Sequence, residues 1–325
     1  MSAHHSSSDV IAETDWRAQI KERVKAIESG QVRVMAIRIS SVEEVEKKHG
    51  AVKVNDLLGA VVATVTRLLP RPAKISQVEV GQFGIVFSCG DSEIESISEE
   101  VIAALVELCR EIAEFSVGIF DHRSIENVGD SRYSLDYSYA YDYALIAAAA
   151  AGENSGYTFD EQAPRIVLTK QTDADKYEQV SADYKKFKEI GIFGVDLDNQ
   201  AGISYFTSGN ILEANAAFRV AVEHGTDPTL RSNYAISLFY LQRFHEAYEQ
   251  MRQSAQDKDH GLPSPGLIPL FAIAAFESNK RNGSPPPQEV KRLIDSALQV
   301  TSHTFGTEVK LKEVSESFSL AYPEI

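Results

Sequence analysis

Apolar side chains at Trp16, Ile20, Val24 and Ile27 recur every three to four residues, which predicts one leading helix over 15–28. The β-branched run VRVMAIRI (32–39) is predicted as a strand. NDLLGAVVATVTRLL (55–69) is predicted as a long helix stopped by Pro70 and Pro72. ISQVEV (75–80) and FGIVFS (83–88) are separated only by Gly81 and Gln82, the signature of a tight hairpin. A helix over 97–114, a strand FSVGIF (115–120) and an Ala-rich helix over 140–151, stopped by Gly152, complete the pattern. The order β-α-β-β-α-β followed by a helix predicts an α+β, ferredoxin-like antiparallel sheet with helices on one face. RIVL (165–168) reads as one more edge strand.

Beyond about residue 160 strand patterning gives way to helical periodicity, with a boundary between 170 and 190. Here the chain repeats itself: GISYFTSGNILEANAAFRVAVEHGTDP is followed, at an offset of 33 residues, by AISLFYLQRFHEAYEQMRQSAQDKD. Gly202, Tyr205, Gly209, Ala214, Phe218 and Ala221 in the first copy are answered by Ala235, Leu238, Gln242, Ala247, Met251 and Ala255. This alternation of small, aromatic and turn residues resembles the tetratricopeptide repeat (TPR). Gln242 departs from the turn preference and Ala255 comes one place late. A third hairpin, 267–279 with 288–300, resembles the family only loosely. The expected division is a disordered tail (1–14), a sheet domain (15–170), a linker helix (171–194), helical hairpins (195–302) and a C-terminal segment (303–325).

With 43% hydrophobic and 24% charged residues, 325 residues suffice for two domains with separate cores. The 47 acidic against 32 basic residues leave a formal charge of −15, which would repel a phosphate backbone and argues against nucleic acid as partner. No run approaches the roughly 20 apolar residues of a membrane span, and the polar start lacks the traits of a signal peptide, so a cytoplasmic protein is expected. Two cysteines, Cys89 and Cys109, and scattered histidines offer neither a disulfide framework nor a metal knuckle. No metal or cofactor is expected. His49 before Gly50 reads as a helix end, and the tyrosines of 133–144 read as packing residues more than as a stacking platform.

Three stretches carry a second resemblance. Glu79-Val80-Gly81-Gln82-Phe83 turns between two strands with a Phe opening the second. YDYALIAAAAAGEN (141–154) is similar to a helix pattern AD-x-ALY-x-AK-x-x-G-x-N at Asp142, Ala144, Leu145, Ala148, Gly152 and Asn154. FSVGIF is similar to T-V-S-x-G-I-A at Ser116, Gly118 and Ile119. Together they resemble the GGDEF diguanylate cyclases over about residues 15–160. That family binds two divalent cations that neutralise GTP phosphates and activate a 3′-hydroxyl, chemistry that needs carboxylate oxygens. The resemblance assigns the first-strand ligand to Arg38, the loop ligand to Gly81, its acidic neighbour to Gln82, and the two leading glycines to Glu79 and Val80. The guanine-contacting positions fall on Glu46 and Asn55, and the helix lysine that meets phosphate falls on Ala149. The product-inhibition motif R-x-x-D finds only RPAK (71–74), without its acid.

With both metal ligands and the lysine gone, several kcal/mol of transition-state stabilisation are missing, and the resemblance implies a fold without turnover. The expected function is a bacterial adaptor in a cyclic di-GMP-linked pathway. It would bind protein partners through the first helices of the hairpins: Asn199, Ile203, Phe206 and Thr207, then Ser232, Ile236, Phe239 and Tyr240. The alternative is a sensor holding GTP or cyclic di-GMP in the vestigial pocket of Arg38, Glu46, Asn55, Glu79, Gly81 and Gln82. A third reading, an enzyme with a relocated metal site, lacks a second carboxylate pair. An open question at this level is whether the third hairpin or residues 303–325 cover the groove.

Overall fold

A computed structural model describes residues 13–40, 42–122, 135–256, 265–300 and 307–325. The expected N-terminal tail, apart from its last two residues, lies outside them. The chain divides into two compact units, 1–170 with 185–193, and 171–184 with 194–325. Among the described residues no helix is long and apolar enough to cross a membrane.

The first unit is built on a five-stranded sheet: β1 (Arg33–Ile39), β2 (Lys74–Glu79), β3 (Gln82–Phe87), β4 (Phe115–Phe120) and β5 (Ser155–Thr158), in the order β2-β3-β1-β4-β5. β1 runs antiparallel to β3 and β4, and β2 antiparallel to β3, but β5 pairs with β4 in parallel, so the sheet is mixed and not purely antiparallel. Among the described residues the helices of this unit include α1 (Glu13–Glu22), α2 (Val24–Glu28), α3 (Val42–His49), α4 (Ala51–Leu68), α5 (Ile94–Cys109) and α6 (Ala140–Ala150).

Alternation along the strands gives the sheet two unlike faces. Met35, Ile37, Ile39, Phe83, Ile85, Val117 and Ile119 join Leu57, Val61 and Val65 of α4 and Val101 and Leu105 of α5 in one apolar core. The opposite face carries Gly84, Ala36 and Gly118 side by side in register. These small residues let other helices close in. A Cβ on Gly118 would collide with the backbone of Ala144 and Ala148 in α6, and one on Gly84 would lie 2.6 Å from the Trp16 indole of α1. Helices therefore cover both faces, which corrects the one-sided expectation.

The leading helix is two pieces, because Arg23 N–H bonds Ile20 O, three residues back at 2.9 Å, and tightens the turn between α1 and α2. α5 ends at Cys109, five residues early, where Glu111 takes a left-handed φ of +64°. RIVL is helical and not a strand. It lies in α7 (Ala163–Asp173), whose first turn is capped by Asp160 accepting from the Gln162 and Ala163 amides, each at 2.9 Å. The true edge strand, SGYT, has no apolar run to announce it. His49 does end a helix, and Tyr141 and Tyr143 are buried. α8 (Tyr177–Glu189) follows α7, and the division between the units passes through both helices.

In the second unit, α9 (Val195–Thr207) pairs with α10 (Ile211–His224) and α11 (Pro228–Tyr240) with α12 (Phe244–Gln256), so helix starts recur at the 33-residue offset. α13 (Ile268–Asn282) pairs with α14 (Pro287–Leu298). α15 (Glu308–Ala321) packs on both, with Phe318 against Phe276 and the Tyr322 hydroxyl donating to Asn279 at 2.8 Å. The C-terminal segment thus lies on the third hairpin. A buried serine recurs in each first helix: Ser204 meets Thr172, Ser237 accepts from Asn215 at 3.0 Å, and Ser278 meets His245 at 3.0 Å. Each also donates to a backbone carbonyl, so the one proton and the lone pairs of these hydroxyls are used without leaving a buried polar group open.

Candidate functional site

The hairpin between β2 and β3 is shaped by Gly81, whose φ of +78° suits a residue without Cβ. A Cβ there would also meet Val42 at 2.5 Å, while its carbonyl accepts from Ile39 N–H at 2.7 Å. The turn is thereby pinned to the end of β1. Strand register then brings five polar residues, one per strand, into a single row at this end of the sheet: Glu79, Gln82, Arg38, Ser116 and Ser155. They lie on the face of Gly84, Ala36 and Gly118, two residues further along each central strand.

Four of the six predicted pocket residues, Arg38, Glu79, Gly81 and Gln82, are therefore brought together. Gln82 Nε2 donates to Glu79 Oε2 at 2.6 Å, which holds the carboxylate at the β2 end of the row. Arg38 is exposed, and among the described residues its guanidinium has no hydrogen-bond or ion-pair partner. Glu46 and Asn55 are exposed on α3 and α4. Among the described residues no three His, Cys, Asp or Glu side chains gather as a metal-ligand cluster. Around Arg38 the row offers a fixed guanidinium, an amide and a hydroxyl, with Glu79 as its one carboxylate, a poor set for Mg²⁺ or Mn²⁺, which take several oxygen ligands.

The sequence motifs marked Ser116 without placing it in the row, and passed over Lys170. Ser116 is set beside Arg38 by the β1–β4 register, which no local motif announces. Lys170 of α7 reaches the C-terminal end of α6, where its ammonium bonds Ala150 O at 2.9 Å and Ala151 O at 2.6 Å. Ala149 leaves this helix end without its own lysine; a cation arrives from 20 residues downstream and neutralises the negative end of the helix dipole.

A cleft of about 540 Å³ opens elsewhere in this unit, between α3 and the end of α5, lined by Ser40, Glu44, Lys48, Cys109, Arg110 and Asn154 among others. None of the six predicted pocket residues lines it. Burial pushes the Cys109 thiol up to about 11, so at neutral pH it is a protonated packing group and a poor nucleophile.

In the helical unit the predicted partner residues separate. Phe206 and Tyr240 meet edge to face at 5.2 Å between centroids, and Phe239 lies 6.0 Å from Tyr240 and 5.4 Å from Phe244. Tyr240 is 43% exposed. Asn199 accepts from Asn233, a residue the reading missed, at 2.9 Å. Ile203 and Ile236 are half-buried, and the Thr207 hydroxyl is spent on Ile203 O at 2.8 Å. The Ser232 hydroxyl is engaged by Pro228 O and Ser254 of its own hairpin.

No protein-family model matches this chain, and no curated protein matches it. Similar solved structures are GGDEF domains that cover about half of it. The GGDEF domain of TpbB from Pseudomonas aeruginosa is 15% identical, with a TM-score of 0.40, covering 50% of this chain and 99% of that one. DgcB from Caulobacter crescentus, a coiled coil and GGDEF domain in complex with c-di-GMP, is 13% identical (TM-score 0.36; 46% and 81% covered). The active GGEEF domain of a diguanylate cyclase from Vibrio cholerae is 17% identical (TM-score 0.35; 45% and 92% covered).

Proposed function

We propose that this protein is a non-catalytic adaptor: a degenerate GGDEF-like domain joined to TPR-like hairpins that recruit protein partners. The observation that carries the first half is Arg38. A permanent cation stands on the first strand beside the hairpin, where cyclase chemistry needs an anionic clamp for metal, and Gly81 adds no oxygen to replace it. The second half is supported by the helix pairs recurring at 33 residues and by the aromatic contact of Phe206, Phe239 and Tyr240 at the ends of successive first helices. The cyclic di-GMP-linked setting rests on the motif resemblance.

Incubation of the full chain with GTP and magnesium or manganese, followed by chromatography, is expected to yield no dinucleotide; any such product overturns the adaptor reading. Capture of partners from a bacterial lysate is expected to lose proteins in Phe239→Ala and Tyr240→Ala. Recovery of the same set by wild type and both variants would remove this surface from the proposal.

A further inference from the structure

Helix α1 covers part of the small-residue face of the sheet, and its attachments are of two kinds. Trp16 and Ile20 are buried, and the indole meets the Tyr141 ring edge to face at 6.0 Å between centroids. Yet the Trp16 Nε1–H finds no acceptor among the described residues. Nor does the hydroxyl of Ser76 find a partner there, although Ser76 is only 1% exposed and pairs in register with Gly84, against which the indole lies. Docking α1 strips both groups of bulk water without a protein partner in exchange. A helix of ten residues does not hold its shape alone in water, so α1 either docks or unfolds.

The polar attachment is Arg17, which donates to the Asp142 carboxylate of α6 at 2.8 and 3.4 Å. Asp142 is 2% exposed, and a buried carboxylate that loses its cation is strongly destabilising. Here a second cation stands by, since Lys186 Nζ lies 3.3 Å from Asp142 Oδ1. When Arg17 withdraws, Lys186 keeps the carboxylate compensated.

We propose that α1 is a releasable strap: it lifts from the sheet as a unit while the rest of the domain stays folded, and Lys186 takes over the Asp142 carboxylate that Arg17 gives up. Lys186 lies on the part of α8 that belongs to the first unit, whereas residues 177–184 of the same helix belong to the second. The strap therefore competes for one carboxylate with a helix that both units share. This inference goes beyond the adaptor reading and rests on none of its residues.

The test is hydrogen exchange of the full chain, followed along the sequence in wild type and variants. Amides of 17–22 are expected to exchange at least about tenfold faster than those of β1 and β4. Arg17→Gln is expected to raise that rate several-fold and to leave β1 and β4 as they are. Lys186→Gln is expected to lower it, because lifting the strap then leaves a buried carboxylate uncompensated. In that background Arg17→Gln should act by a factor at least about threefold larger than in wild type. Ser76→Ala, which removes a hydroxyl that docking strands, is expected to slow the exchange as well. Arg17→Lys carries the comparison if Arg17→Gln unfolds the sheet unit. Exchange of 17–22 in step with β1 and β4, a faster rate in Lys186→Gln or Ser76→Ala, or equal factors for Arg17→Gln in both backgrounds would each overturn the proposal.

Discussion

Glycine brings elements into close contact in both units, but what it meets differs. Gly118 of the sheet lies against backbone, the carbonyl of Ala144 and the amide of Ala148, so nothing nearby can step aside. Gly202 of the first hairpin lies against a side chain: a Cβ there would come within 2.5 Å of the Phe218 ring. The second hairpin displays the alternative solution, because one repeat further on Gly202 becomes Ala235 and Phe218 becomes Met251, both fully buried. A methyl group added on one side is accommodated by a thinner, more flexible side chain on the other. The repeat unit tolerates paired exchange where the sheet unit allows none.

The sharpest way to break this comparison is Gly118→Ala. It is expected to destabilise the sheet unit by about 3 kcal/mol or more, the upper end of overpacking, since relief requires α6 to move off β4. Urea unfolding of the full chain, with hydrogen exchange followed along 140–150, measures it; a loss under 1 kcal/mol would mean that the helix slides freely. Next comes Gly202→Ala, expected to destabilise by about 1–3 kcal/mol. Adding Phe218→Met should recover most of that loss, giving a coupling energy of at least about 1 kcal/mol in the double-mutant cycle. Strictly additive effects would show that the two positions do not compensate.

The smallest effect concerns the turn between paired helices. Gly209 has a φ of +84°, and the corresponding Gln242 adopts +59° although it carries a Cβ. Gln242→Gly is expected to stabilise the hairpin by about 0.5–1 kcal/mol, the strain of a left-handed non-glycine residue less the added freedom of the unfolded chain. A lower melting temperature for this variant would mean that the Gln242 side chain contributes more than its backbone conformation costs.

Much of the architecture was legible without coordinates where periodicity and punctuation agreed. The β2–β3 hairpin, β4, the Ala-rich helix and the 33-residue spacing of the hairpins all follow from patterns a few residues long. Errors arose where the local signal was short or absent. The four apolar residues of RIVL fit either a strand or a helix turn, and the cap that decides between them comes from Asp160. SGYT has no apolar stripe because it is an edge strand paired on one side only. For the site, the motif resemblance singled out Arg38, Glu79, Gly81 and Gln82 together with Glu46 and Asn55, and marked Ser116 only as a strand-motif position, whereas Lys170 carries no signal of its own.

The amino-acid sequence by itself determined most of the strands and helices, the repeat length of the hairpins, and the residue types available for chemistry, an arginine and a glycine among them at the end of the sheet. All of these depend on neighbours along the chain. Only the tertiary structure decided which polar groups share a row, that β5 adds in parallel, that helices cover both faces, and that a lysine from α7 closes the end of α6. Those outcomes depend on strand register and helix docking, which join residues far apart in sequence, and a local pattern holds no record of such a meeting.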